Sequence, residues 1–267
     1  MAAPNAQKYL FEGSQITYQK FGYGAAVLLA FHGFGQNSQV YLPIEKHLGS
    51  RFTVFAIDLF FHGDSHYAAG QLMSKPDWHR LIKSFLQEQR IERFSVIGFS
   101  LGGRFALATV EGFADKLDQL ILIAPDGITP SNWYQLATGS ALGRSVFRYG
   151  LRHLALLNGL GHALTRIGLL NRTIMRFVEI SLSTVEQRNR VYLSWTQFRP
   201  IWPNLNVVSK NLTTNPINVY FFTGAFDRLV PGTYLLPLTK KLNNYQLTIL
   251  KTGHNRLIEL TAERMGK

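Results

Sequence analysis

The stretch Val96-Ile97-Gly98-Phe99-Ser100-Leu101-Gly102-Gly103 decides how the rest of the chain is read. An apolar run, Phe94 to Ile97, ends at a serine held between glycines, and a run with helical spacing follows at once. In a strand–turn–helix context, Gly-x-Ser-x-Gly presents the serine as a nucleophile on a sharp turn. The turn must be tight enough to push the hydroxyl out beyond the sheet edge. It holds the serine in a sparsely populated backbone region, at a strain of roughly 1–3 kcal/mol. Two residues before and two after, the chain comes too close for side chains, hence Gly98 and Gly102. Gly103 is expected to let the following helix lie close to the strand. The pattern alone also arises by chance, and a bland glycine-rich turn reads equally well until partners are found.

The chain has 267 residues, enough for a large core. Hydrophobic residues make up 46% and charged residues 16%, a globular and not a disordered composition. There is no cysteine, which excludes a thiol nucleophile, a disulfide framework and a Cys-ligated metal. The stretch from Met1 to Phe11 lacks a basic head followed by an apolar core, so no signal peptide is read there. The nearest approach to a spanning run, Leu154 to Leu170, carries His162 and Arg166. A soluble, cytoplasmic protein without membrane insertion is the expectation. The net charge of +12 bears on partners and solubility, not on fold.

Strand-like runs occur at Ile16 to Phe21, Ala26 to Phe31, Thr53 to Leu59, Phe94 to Ile97, Leu117 to Ala124, Ile217 to Thr223 and Gln246 to Leu250. Gly22-Tyr23-Gly24 is read as the turn joining the first two. Helical spacing appears at Gln39 to Leu48, Asp77 to Gln89, from the serine turn to about Gly112, and around Thr233 to Lys241. Strands alternating with helices imply a mostly parallel sheet covered on both faces. Ser131 to Trp202 breaks this rhythm, carries no strand-like run and reads as several helices. It is taken as an insertion after the strand Leu117 to Ala124, dividing the chain into a core of 1–126 with 206–267 and an inserted block of 127–205. No internal repeat or low-complexity segment is present.

A serine hydroxyl needs a base within hydrogen-bond reach, and the base needs an orienting carboxylate. In a parallel sheet such groups belong on loops after the carboxyl ends of strands. His254 alone among the eight histidines follows the last strand, and Asp227 follows the strand before it. The order Ser100, Asp227, His254 and the loops around them resemble the α/β-hydrolase superfamily, specifically its cap-bearing members. The resemblance covers about residues 16–126 and 217–260. It implies an eight-stranded sheet with a helical cap after the sixth strand. It also implies an oxyanion hole from the backbone N–H groups of Leu101 and of Phe34, which follows His32-Gly33. His32 is expected to be structural and to fix that loop by hydrogen bonds. Asp58 to Ser65 is similar to the family's Asp-x-Pro-Gly-His-Gly-x-Ser loop, with Phe60-Phe61 in place of Pro-Gly.

Alternatives stay open. Asp126 also follows a strand end, and some family members draw their acid from there. Asp227 is preferred because Gly-x-x-Asp-x-x-x-Pro matches the commoner pattern. His62, Asp64 and His66 form His-x-Asp-x-His, but no further cluster supports a metal, and none is expected. Trp133, Tyr134, Phe147, Trp195 and Trp202 either line an acyl pocket or pack between inserted helices. The resemblance implies a serine hydrolase cleaving a carboxylic ester or thioester without a cofactor. C–C bond hydrolysis of the meta-cleavage type and a non-catalytic ligand receptor are the alternatives. The expected partner is a small-molecule acyl substrate, not nucleic acid. Between Gly127 and Leu205 nine arginines face two glutamates, a net +7 of the chain's +12. That bias reads either as a solvated, solubilising face or as a surface for anionic substrates or partners. Acyl-CoA, an acidic carrier protein and an anionic membrane surface all fit the second reading.

Overall fold

Leu28, Leu29, Ala30 and Phe31 are all fully buried, as a strand covered on both faces requires. They sit in a computed structural model that describes residues 6–68 and 72–267. The first five residues of the stretch read as lacking a signal peptide lie outside the described residues. Eight strands form one sheet: β1 (Ala6–Phe11), β2 (Ser14–Phe21), β3 (Ala26–Phe31), β4 (Phe52–Ile57), β5 (Phe94–Phe99), β6 (Leu117–Ile123), β7 (Asn218–Gly224) and β8 (Gln246–Leu250). Their order is β1-β2-β4-β3-β5-β6-β7-β8. The β1–β2 and β2–β4 pairs are antiparallel, and every other pair is parallel.

The sequence shows no strand signal at β1 because only Tyr9 of its six residues is buried. An outer strand of that kind offers neither an apolar run nor a clean alternation. Gly22-Tyr23-Gly24 does follow β2, but β2 and β3 are not neighbours. Strand β4 runs between them, and the amides of Tyr23 and Gly24 bond to the carbonyl of Gly49.

Eleven α-helical segments occur among the described residues. The first three are α1 (Glu45–Leu48), α2 (Lys75–Glu88) and α3 (Leu101–Phe113). The segment expected to be helical from Gln39 to Leu48 is mostly a 3-10 turn, Ser38–Ile44, which contains Pro43 and leaves only α1 as α-helix. Proline cannot donate the i→i−4 bond that an α-helix needs there. Helix α2 starts on a capping box. Ser74 Oγ accepts from the Asp77 amide, and the Asp77 carboxylate accepts the Ser74 amide at 2.9 Å. Its buried face is Trp78, Leu81, Ile82, Phe85 and Leu86, the apolar set spaced for a helix.

Between β6 and β7 come α4 (Asn132–Thr138), α5 (Ala141–Arg152), α6 (Leu154–Arg166), α7 (Arg172–Ser181), α8 (Val185–Gln197) and α9 (Leu205–Thr214). The last two are α10 (Leu236–Thr239), preceded by a 3-10 turn, and α11 (Leu257–Met265). Contacts divide the chain into a sheet unit, up to Thr129 and from Pro200 to Lys267, and a helical unit, Pro130–Arg199. Residues 127–129 and 200–205, counted with the insertion from sequence, therefore belong with the sheet. Thr129 Oγ1 donates to the Tyr234 carbonyl, and Trp202 stacks on Arg104 of α3.

The helical unit is held together by aromatic packing of α4, α5 and α8. Phe147 stacks on Trp195 at 5.2 Å between ring centres, and Tyr134 meets the same indole edge-on at 5.4 Å. Tyr134, Phe147 and Trp195 thus pack on one another, whereas Trp133 is exposed. Among the described residues no helix is long and apolar enough to cross a membrane.

Candidate active site

Strand β5 lies between β3 and β6 at the middle of the sheet and delivers Ser100 at its carboxyl end. Ser100 has φ 50° and ψ −117°, the sparsely populated conformation expected of a sharp strand-to-helix turn. The surroundings fix it there. Its amide donates to the Ile123 carbonyl at 3.0 Å, and its own carbonyl accepts from the amides of Gly103 and Asp126, each at 2.8 Å. A Cβ on Gly98 would stand 2.5 Å from the Gly102 carbonyl oxygen, and one on Gly102 would overlap the Phe31 carbonyl. Gly103 differs from expectation: the atoms it makes room for are those of Pro125, in the loop after β6, not its own strand. Gly102→Ala is expected to cost about 3 kcal/mol, because a backbone carbonyl of the central sheet must shift to accept the methyl group. Urea unfolding would measure it.

Asp227 and His254 come together because the loops after β7 and β8 are stitched by backbone bonds. The Ala225 amide donates to the Leu250 carbonyl at 2.8 Å, and the Phe226 amide to the Thr252 carbonyl at 3.0 Å. Gly224 permits this approach, since a Cβ there would stand 2.5 Å from the Thr252 carbonyl oxygen. His254 Nδ1 is 2.6 Å from Asp227 Oδ2. The other carboxylate oxygen, Oδ1, accepts the amides of Leu229 (2.9 Å) and Val230 (3.0 Å). The Asp227 side chain is fully buried and both of its oxygens are engaged, which holds the carboxylate in one orientation. It fixes the imidazole tautomer as Nδ1–H, leaving Nε2 as a base.

The His254 ring lies against Phe99, 4.7 Å between centres, and Phe99 immediately precedes Ser100. The Ser100 hydroxyl itself makes no hydrogen bond to His254 here. Bonds of this kind commonly tighten only with substrate present. Asp126, the competing acid, is engaged elsewhere. Its Oδ2 is 2.5 Å from the Arg104 guanidinium, and its Oδ1 accepts the Gly127 amide at 2.7 Å.

Leu101 is the first residue of α3, so its N–H has no intrahelical acceptor and lies at the positive end of the helix dipole. Phe34 sits in the loop after β3, its ring 5.5 Å from that of His62. His32 holds this loop. The Leu59 amide donates to its Nε2 at 2.9 Å, which leaves Nδ1 to donate to the Gly33 carbonyl at 2.7 Å. The imidazole is thus neutral and structural, tying the loop after β3 to the loop after β4.

Three contributors were not read from the sequence. Gln36 Oε1 accepts the Gly33 amide at 3.1 Å and shapes the His32–Gly35 turn. Arg104, almost fully buried on α3, occupies the rival acid. Phe99 positions the imidazole. Only Arg104 left a signal, a lone cation inside the otherwise apolar run Leu101 to Val110. Phe61 shows the consequence of the altered loop. It has φ 66°, the left-handed region, at the position where the similar family loop carries glycine. His62, Asp64 and His66 do not converge, and no group of three such side chains gathers for a metal among the described residues.

Comparison with known proteins agrees with this architecture. An uncharacterized protein of Mycobacterium bovis is 33% identical over 129 residues, 48% of this chain and 37% of that protein. A pimeloyl-[acyl-carrier protein] methyl ester esterase of Aliivibrio salmonicida is 30% identical over 111 residues, 42% of this chain and 40% of that enzyme. The match thus spans well under half the length of either relative. The crystal structure of a hydrolase from Pseudomonas aeruginosa superposes with a TM-score of 0.69 over 99% of this chain and 97% of that one. At 16% identity it shows the shared fold alone. A model of the α/β-hydrolase fold family matches residues 26–259. With its eight-stranded sheet and its serine turn at the end of β5, the chain belongs to the α/β-hydrolase fold family.

Proposed function

We propose that this protein is a serine hydrolase that cleaves a carboxylic ester or thioester by two-step acyl transfer. The observation that carries the reading is the 2.6 Å bond between His254 Nδ1 and buried Asp227, on loops beside the strained Ser100 turn. His254 Nε2 takes the Ser100 proton as the hydroxyl oxygen attacks the carbonyl carbon. Asp227 stabilises the imidazolium that forms. The tetrahedral oxyanion is held by the amides of Leu101 and Phe34, where losing one such donor typically costs about 2.7–4 kcal/mol. Collapse breaks the bond to the leaving oxygen or sulfur, which takes the proton from the His254 imidazolium and departs as alcohol or thiol. Water activated by the same imidazole then releases the acid and regenerates Ser100. No cofactor takes part in these steps.

An oxygen ester is the favoured bond, supported by the name of the Aliivibrio relative, a methyl ester esterase. Turnover of short p-nitrophenyl esters, with an active-serine phosphonate as covalent label, tests the reading. Hydrolysis with phosphonate adduct on Ser100 alone is the expected result. Absence of both turnover and adduct would move the protein to the receptor class. Turnover confined to dienoic diketones would move it to C–C hydrolysis.

A further inference from the structure

We infer that the helical unit docks on the surface of an anionic phospholipid bilayer through the face that α5 shares with α8. The inference goes beyond the hydrolase reading and does not depend on it. The first observation is uncompensated charge. Pro130–Arg199 holds nine arginines, no lysine, no aspartate and only Glu179 and Glu186. Glu179 is already taken by His162 at 3.0 Å. Arg144 donates to the Thr138 carbonyl, and Arg148 donates to the Tyr192 hydroxyl at 2.7 Å. Both acceptors are neutral and leave the positive charge in place. Neither of these arginines nor Arg152 has a carboxylate partner among the described residues.

The second observation is shape. Two recesses share Arg148, Arg152 and Tyr192. One, of 430 Å³, adds Arg144. The other, of 550 Å³, adds Arg188 and Asn189. Each presents guanidinium groups in the planar fork that binds a phosphate diester through paired N–H donors.

The third observation selects the partner. Beside the arginine stripe, α5 shows Leu142, Val146 and Tyr149 to solvent, 75%, 63% and 57% exposed, at helical spacing. Val185 at the start of α8 is also exposed. A solubilising face gains nothing from such residues, and an acidic protein would answer the arginines alone. A bilayer answers both, with phosphates at headgroup level and acyl chains about 5–10 Å deeper, where the apolar face of an interfacial helix lies. The attachment is peripheral, since no described helix can span.

The test is flotation of the full chain with vesicles of phosphatidylcholine alone and of phosphatidylcholine mixed with phosphatidylglycerol. Binding is expected to the mixed vesicles only. Arg148→Gln with Arg152→Gln should lower partition roughly 25-fold, at roughly fivefold per arginine. Leu142→Asn with Val146→Asn leaves the charge unchanged and should lower it about tenfold. Circular dichroism and the midpoint of thermal unfolding should stay at wild-type values in the second pair, which separates lost docking from lost folding. No binding to the mixed vesicles overturns the inference. So does an asparagine pair that binds like wild type, because that result leaves the arginines alone as the attachment and marks a site for an acidic protein.

Discussion

Replacing Ser100 by alanine is expected to leave the fold intact and to lower kcat for ester hydrolysis by on the order of 10⁶. In the proposed mechanism the attacking oxygen is then gone, and nothing else at the turn can replace it. The stability half of the expectation follows from the hydrogen bonds. The turn is held by backbone groups, the Ser100 amide on Ile123 and the Ser100 carbonyl under Gly103 and Asp126. The hydroxyl makes none of these bonds. Alanine and serine also bear similar strain at φ 50°. The midpoint of thermal unfolding should therefore stay within a degree or two, by about the ±0.5 kcal/mol typical of substitutions that remove no such feature. The amides of Leu101 and Phe34 survive the substitution, so a residual rate of roughly 10³–10⁴ over water is expected. Wild-type turnover in the alanine variant, or phosphonate adduct persisting on another residue, would remove Ser100 from the mechanism.

Much of this architecture could be read from the chain because central parallel strands write a strong signal. Ala26 to Phe31 and Leu117 to Ala124 are apolar throughout, since both faces are covered. The Gly-x-Ser-x-Gly turn is legible for a related reason: close backbone approach at Gly98 and Gly102 admits no other residue. The edge strand β1 was silent because only Tyr9 turns inward. The pairing of β2 with β4 was silent because adjacency in sequence says nothing of strand order in a sheet. Proline at 43 and 237 shortened two helices that apolar spacing alone extends. In the site, loop position picked out Asp227 and His254 as residues, while their contact depends on the stitching of two loops by backbone amides, which leaves no mark on side-chain identity. Arg104 stands as a lone cation in the run Leu101 to Val110, but its burial and its pairing with Asp126 emerge only once the loop after β6 is placed beside α3.

That partner decides the last expectation, which separates the two acids. Asp227→Asn should lower kcat by on the order of 10⁴. The side chain stays the same size. Oδ1 can still accept the amides of Leu229 and Val230, but the group facing His254 then carries N–H bonds in place of a second acceptor. An amide NH₂ facing Nδ1 makes that nitrogen the acceptor and puts the imidazole proton on Nε2. The base then points a proton at Ser100 where it should accept one. Asp126→Asn acts on a different partner. It weakens the pair with Arg104, whose side chain is only 4% exposed, and leaves that guanidinium short of a counter-charge. The effect belongs to stability and should be below the roughly 3–5 kcal/mol of a fully buried pair, because the Asp126 carboxylate is itself 29% exposed. Catalysis through His254 should change far less than in Asp227→Asn. Steady-state kinetics and urea unfolding of both variants give four numbers. The expected pattern is a large kcat loss with little destabilisation at 227, and destabilisation with a small kcat loss at 126. The reverse pattern would place the acid after β6 and break the link between the 2.6 Å bond and the chemistry.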